Sequence, residues 1–406
     1  MSGTPGEGRA WAWLDHLQAG GTTPWARWSA EVPTRGRVLP GAQQLELLRR
    51  LNLAGGVSPR LAQRVLGASA PGRGRPDLEL VGATEARGFG WAPVDPADLP
   101  DDELVRVATG LVAEDVREAA ARASDPAAAA PRTARPVLQR VRTAWPWARR
   151  APAYRLAGDP WLGSLWRREL AAAGRPPGGR APEVLVLAGP LSVGLAHTWS
   201  ARSAGVDGAP PWPQWLAATT ERRHVPRPLD VAAVADRWAA RVGRERVRVV
   251  VDPDRLPAVV DAPVRPQAPR LSGDAVELVR RVGVGLGLLV LPRARQELLR
   301  GVLVPMLHDL PAATAGPRLV VPPEHHRWVA RRSVQVRAAV LRAGYPVLGD
   351  PDALVDAPDA LAEAEGAPPS DAAVLDLAVA LLRRHDDRGA ASPATPTIPT
   401  TREDER

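Results

Sequence analysis

The sequence predicts an α/β protein. A doubly wound, mainly parallel sheet is expected over residues 150–356, preceded by a small, mainly helical N-terminal region, 1–123. Three observations carry this expectation. Glu183–Ala188 (EVLVLA) and Val247–Val251 are short, unbroken apolar runs, as expected of strands buried on both faces. The stretches between them are long enough, and periodic enough, to be helices. SDPAAAAPRTARP (124–136) opens a Pro/Ala/Arg-rich linker, 124–149, between two regions of different pattern.

In the N-terminal region WAWLDHLQ reads as helix. AQQLELLRRLNLAGG follows Pro40-Gly41, its Leu45, Leu48 and Leu51 share a helical face, and Gly55-Gly56 ends it. Leu61 to Leu66 continues the helical pattern. Residues 71–101, rich in Gly, Pro and Asp, read as a long loop with one short strand, Leu78–Val81. Asp101 or Asp102 suits the cap of a helix reaching Ala123, with Leu104, Val107, Leu111 and Val112 inward. Past the linker, Tyr154–Ala157 reads as a strand and Pro160–Ala173 as a helix. Pro190 opens a helix to about Ser203, and Asp230 caps one that aligns Val231, Val234 and Trp238. Helices over 273–289 and 293–308, a strand Arg318–Val321, a helix Pro323–Ala343 closed by Gly344, and a strand Tyr345–Leu348 complete the domain. An amphipathic helix falls within 357–387, with Val374, Leu375, Ala378 and Leu382 on its apolar face, and a disordered Ser/Thr/Pro tail is expected over 388–406. No internal repeat is read.

Composition excludes several chemistries. The chain has 406 residues, no cysteine and no lysine, so all 53 basic residues are arginine. Disulfides, thiol nucleophiles, Cys-based metal sites, Schiff-base lysines and phosphate-loop lysines are absent. One Asn, one Phe, one Ile and two Tyr fit a GC-rich coding sequence, which by itself raises the pI to about 11.0 without implying nucleic acid. Residues 132–180 hold 11 arginines against Asp159 and Glu169, a local excess of nine over a whole-chain net charge of +8. No apolar run reaches the roughly 20 residues of a membrane span, and no secretory signal is visible, so a cytoplasmic protein is expected.

Several segments resemble the actinobacterial sulfotransferase-like P-loop family. LVVPPEHHRWVARRSVQVRAAVLRAGYPVLGDPDALV (319–355) is similar to the family's PPEH-x-x-W-V helix and A-G-Y-x-V-x-G-D-x-D-x-L turn. LDVAAVADRWAARVGRERVRVVV (229–251) and SGDAVELVRRV (272–282) resemble family helices and a strand. VLVLAGPLSVGLAHTW (184–199) resembles the strand and helix that contact the cofactor's 3′-phosphate. The likeness covers about 150–350; the N-terminal region looks like an uncharacterised companion region. What the resemblance implies is sulfonate transfer from 3′-phosphoadenosine 5′-phosphosulfate, held by a G-x-P-K-[TS]-G-[TS]-T loop between strand and helix. In LAGDPWLGSLWRREL (156–170), Gly158, Pro160, Gly163 and Ser164 match that loop, while Trp161 stands at the lysine's position. Gly189 and Pro190 stand where the family carries its strand-end arginine and next acidic residue.

These residues define the candidate site: Arg155, Gly158, Gly163, Ser164, Arg167 and Arg168, with guanidinium groups replacing the lysine in holding an anion. The same Gly and Pro residues also suit a strand-to-helix turn in which they serve geometry alone. No catalytic residue and no metal site is assigned. His197 is the candidate general base, lacking a visible partner to orient it, and adjacent His325 and His326 diverge by about 100° on a helix. AGGTTPW (19–25) and GVGLG (283–287) lack the strand–loop–helix order that phosphate binding needs. RTAWPWARR (142–150) suits either an interdomain strap or stacking on bases or lipid.

The resulting expectation is a divergent, catalytically impaired sulfotransferase-like scaffold that binds a protein partner or an anionic small molecule. An active sulfotransferase with arginine in place of lysine is the alternative. Nucleic-acid binding, resting on the 132–180 charge cluster alone, is the third.

Overall fold

The computed structural model describes residues 5–31, 39–68, 77–83, 92–124, 153–222, 224–262 and 271–390. Residues 125–149 of the expected linker, RTAWPWARR and the tail from 391 lie outside the described residues. The chain divides into two compact units, residues 1–115 with 375–406 and residues 116–374.

The first unit contains α1 (Pro5–Gln18), α2 (Ala42–Leu53), α3 (Pro59–Gly67), the greater part of α4 (Asp101–Ser124) and most of the chain's last helix. Leu45, Leu48 and Leu51 are fully buried, as the helical spacing of leucines requires, and Trp13 packs on Trp25 with ring centroids 5.3 Å apart. The chain's one asparagine, Asn52, closes this core by donating to the Leu17 and Gly21 carbonyls at 2.9 Å each. The strand expected at Leu78–Val81 is a single parallel bridge, Leu80 to Val94. The Leu78 amide is taken instead by the Gln43 side chain at 2.9 Å, which ends the ladder.

The second unit is built on four parallel strands: β1 (Tyr154–Gly158), β2 (Glu183–Leu187), β3 (Val247–Val250) and β4 (Val347–Leu348). Its helices are α5 (Pro160–Ala172), α6 (Leu191–Ser203), α7 (Trp212–Glu221), α8 (Val231–Val242), α9 (Leu256–Val259), α10 (Gly273–Gly287), α11 (Pro292–Leu298), α12 (Val304–His308), α13 (Pro311–Ala315), α14 (Pro323–Ala343), α15 (Pro358–Ala362) and the start of α16 (Asp371–Ala390). Alternate residues of β2 enter different cores. Val184 and Val186 pack with Val231 and Val234 of α8 and Val340 of α14, whereas Leu185 and Leu187 pack with Trp166 and Leu170 of α5. The sheet is therefore covered on both faces, which is why its strands read as unbroken apolar runs. The strands lie in chain order, β1-β2-β3-β4. The expected doubly wound sheet thus has helices on both faces but, among the described strands, no reversal of order and no switch-point crevice.

Three expectations change in detail. Arg318–Val321 forms no strand with any described residue, and its Val320 carbonyl accepts from the Trp212 indole at 3.1 Å. The single helix expected over 293–308 is α11, a π-helical turn at Leu299–Leu303, and α12. Pro305 has no N–H to give the turn before it, and the wider turn absorbs the defect. α7 was not anticipated at all. A seven-residue pattern also recurs, although no repeat was read: Leu45-Glu46-Leu47-Leu48-Arg49-Arg50-Leu51 in α2 and Val276-Glu277-Leu278-Val279-Arg280-Arg281-Val282 in α10. In each, a buried glutamate is clasped by two arginines. Glu46 accepts from Arg49 at 2.6 and 2.7 Å and Arg50 at 3.1 Å. Glu277 accepts from Arg280 at 2.6 and 2.7 Å and Arg281 at 2.9 Å.

Candidate functional site

β1 and β2 each run straight into a helix at the C-terminal edge of the sheet, where parallel α/β proteins place their sites. At the end of β1, Gly158 has φ +85°, and a Cβ there would lie 2.1 Å from the Leu187 carbonyl oxygen. Glycine is needed for β1 to approach β2 so closely. One residue, Asp159, then separates strand from helix. Its backbone N–H donates to the same Leu187 carbonyl at 3.0 Å. Its side chain caps α5, with Oδ1 accepting from the Trp161 and Leu162 amides at 3.0 and 2.9 Å.

The other oxygen of that carboxylate, Oδ2, lies 2.6 Å from Nδ1 of His197, which α6 carries. Asp159 is only 6% exposed. A carboxylate oxygen accepts, so this contact places a proton on Nδ1 and leaves Nε2 for other partners. His197 thus has the orienting partner that the sequence did not reveal. It lines a cavity of about 270 Å³ together with Trp161, Leu165, Val276, Leu319 and Arg318. An apolar cavity with an oriented imidazole and one guanidinium suits a small molecule with an apolar body and an anionic end.

The end of β2 repeats the arrangement. The Asp356 carboxylate accepts from the Ser192 amide at 3.1 Å and from the Ser192 hydroxyl, covering the N-terminus of α6. The Asp356 amide in turn donates to Ser333 Oγ at 2.9 Å. Burial pushes the Asp356 carboxyl above its ordinary value, partly offset by the bonds from Ser192 and Leu191. Folded Asp356 therefore holds its proton to higher pH than the unfolded residue, whose pKa is near 3.8. Its contribution to stability is greatest at the acid end and falls as pH rises from about 4 through the folded pKa. Asp356→Asn keeps an oxygen for the Ser192 amide and carries no charge. Relative to wild type, its unfolding free energy is expected to rise across that window and level off above it. Denaturant titrations of both proteins from pH 4 to 7 check this.

The six residues read from the sequence do not converge on one point. Arg155 is exposed on β1, which pairs with β2 and is bridged at Tyr154 by Gly178. Gly158 serves the strand contact. Gly163 is buried in α5, with its N–H on the Asp159 carbonyl at 2.9 Å. Ser164 donates back to the Trp161 carbonyl at 2.8 Å. Arg167 donates to the Gly163 carbonyl at 2.9 Å, and Arg168 pairs with Glu169 at 3.4 Å. Trp161 is nearly buried and forms a cavity wall. The sequence reading missed Asp159 and Asp356. Asp159-Pro160 carried a usable signal, a capping residue directly before a helix-opening proline. Elsewhere, His326 lies 2.8 Å from the Val321 carbonyl and His325 3.4 Å from Thr220 Oγ1, and GVGLG lies inside α10.

No protein-family model, curated protein or solved structure matches the chain. Among the described residues, no helix is long and apolar enough to cross a membrane.

Proposed function

We propose that residues 116–374 are a divergent sulfotransferase-like scaffold that does not use the sulfonate donor and instead binds a small, apolar-bodied anion in the cavity beside His197. One observation carries the reading: the Asp159 carboxylate occupies the Trp161 and Leu162 amides. These are the first-turn donors that a phosphosulfate would need. 3′-Phosphoadenosine 5′-phosphosulfate does not fit these residues. Its negative end would meet a buried carboxylate of like sign, and no lysine exists to offset it. Asp356 covers the first amides of α6 in the same way, the helix whose segment resembles the 3′-phosphate site. The cavity beside His197 offers a ligand Arg318 for its anionic end and Nε2 of His197 to accept a proton.

Calorimetric titration with adenosine 3′,5′-bisphosphate tests the first half. Wild type is expected to give no saturable heat up to millimolar ligand, and micromolar binding would overturn the reading. Asp159→Ala uncovers the two amides and is expected to lose about 1–2 kcal/mol in chloride buffer. Part of that loss should return in sulfate for the variant only. The second half is tested with naphthalene-2-carboxylate as the probe. Saturable binding is expected, weakened about tenfold by Arg318→Ala. Absence of binding removes the cavity ligand from the reading.

A further inference from the structure

The last turn of α10 and the connection from it to α11 present bare apolar side chains. Leu291 is 79% exposed, Leu288 73%, Val284 60% and Leu289 53%. Together with Val206, 37% exposed, they make up half of the large hydrophobic residues exposed anywhere in the described chain. Single exposed leucines need no explanation, but a cluster on one turn does. The neighbouring surface carries a basic excess, with Arg202, Arg293 and Arg295 against Asp207 and Glu297. Arg293 is exposed two residues after Leu291, and Arg202 is exposed on the last turn of α6.

Beside the turn lies a cavity of about 210 Å³ lined by Arg202, Ser203, Asp207, Arg280, Val284 and Arg295. Arg280 is held by Glu277, and Arg295 donates to the Val206 carbonyl while its Nε, buried, has no partner. Ser203 is only 2% exposed, and among the described residues its hydroxyl also has no partner. A buried hydroxyl left unpaired costs free energy that a ligand acceptor can recover. With Arg280 neutralised by Glu277, Arg202 and Arg295 stand against Asp207, and this remaining excess of positive charge makes that acceptor an anion. Since Val284 belongs both to the cavity wall and to the apolar turn, one amphiphile can satisfy both.

We propose that this face docks the protein on an anionic phospholipid surface. Leu288, Leu289 and Leu291 enter the acyl boundary, and a headgroup phosphate sits between Arg202 and Arg295 with Ser203 donating to it. A second copy of the chain is the poorer occupant. One turn carrying four exposed side chains falls well short of the roughly 800 Å² per partner of a stable interface, and like-charged arginines would face each other.

Co-sedimentation of the full chain with vesicles tests the proposal. Retention is expected on phosphatidylcholine:phosphatidylglycerol at roughly 7:3 and not on phosphatidylcholine alone, with a fall as salt rises. Leu288→Ser/Leu291→Ser is expected to lower the partition coefficient at least about tenfold, and Arg202→Ala about fivefold. Both alter exposed positions, so unchanged unfolding midpoints verify that the variants are folded. Ser203→Ala, which removes the phosphate donor without touching the leucines, is expected to weaken anionic-vesicle binding while the midpoint of the free protein holds or rises, because an unpaired buried hydroxyl is removed. The proposal is overturned if wild type binds neither vesicle or if the leucine variant binds as well as wild type. It is equally overturned if sedimentation velocity shows that the same variant dissolves a dimer while vesicle binding is absent.

Discussion

Gly158→Ala is expected to destabilise the protein by about 3 kcal/mol or more, enough to threaten folding of the 116–374 unit. Two costs add. The residue sits at φ +85°, where an L side chain is strained by roughly 1–2 kcal/mol. Its Cβ would also lie 2.1 Å from the Leu187 oxygen, which already accepts the Asp159 amide. Because the obstacle is backbone, relief requires β1 to move away from β2, and Asp159 then loses its place over α5. Gly163→Ala is the internal control. A Cβ there meets nothing nearer than 3.7 Å, so that variant is expected to be neutral or to gain up to about 1 kcal/mol from helix propensity. Guanidinium unfolding of the two variants checks the contrast. Equal costs would mean that the junction between β1 and α5 is not built as described.

Trp212→Ala is expected to cost about 4 kcal/mol, within the 3–5 kcal/mol typical of a deleted buried aromatic. The ring is 1% exposed, lies 5.7 Å from Trp199 and stacks 5.6 Å from Trp215. Its Nε1 is also the donor for the Val320 carbonyl, so deletion leaves both a cavity and an unpaired acceptor in the segment 317–322. Trp212→Phe separates the two. It keeps most of the apolar volume and is expected to cost about 1–2 kcal/mol, chiefly the lost hydrogen bond. Thermal unfolding followed by tryptophan fluorescence and by circular dichroism measures both.

These two residues mark what could be read from the sequence. Local pattern placed β2, β3 and α14, because apolar runs and helical spacing are properties of neighbouring residues. Whether Leu319, Val320 and Val321 form a strand depends on a free sheet edge beside them, and here a distant indole takes the carbonyl instead. α7 escaped because PPWPQW carries three prolines, although Pro211 and Pro213 fall at the helix start, where proline is tolerated. The candidate site divides in the same way. The strand-to-helix junction at Gly158 and the cavity wall at Trp161 were visible as a motif. The Asp159–His197 pair spans 38 positions and two helices, so only packing brings it together. Arg167 and Arg168, drawn to the site by proximity in sequence, turn back onto their own helix, which spacing alone does not exclude.

The clasped glutamates have a consequence in alkali. Each ion pair of α2 and α10 uses guanidinium; Glu46 pushes Arg49 up, and burial, which lowers Arg281, is outweighed by Glu277 and Asp371, so Arg281 is raised too. The chain has no lysine or cysteine to titrate near pH 8–10, and its two tyrosines are both raised, Tyr154 to about 12. The side-chain charge therefore stays on a plateau across the alkaline range in which most proteins begin to shed their cations.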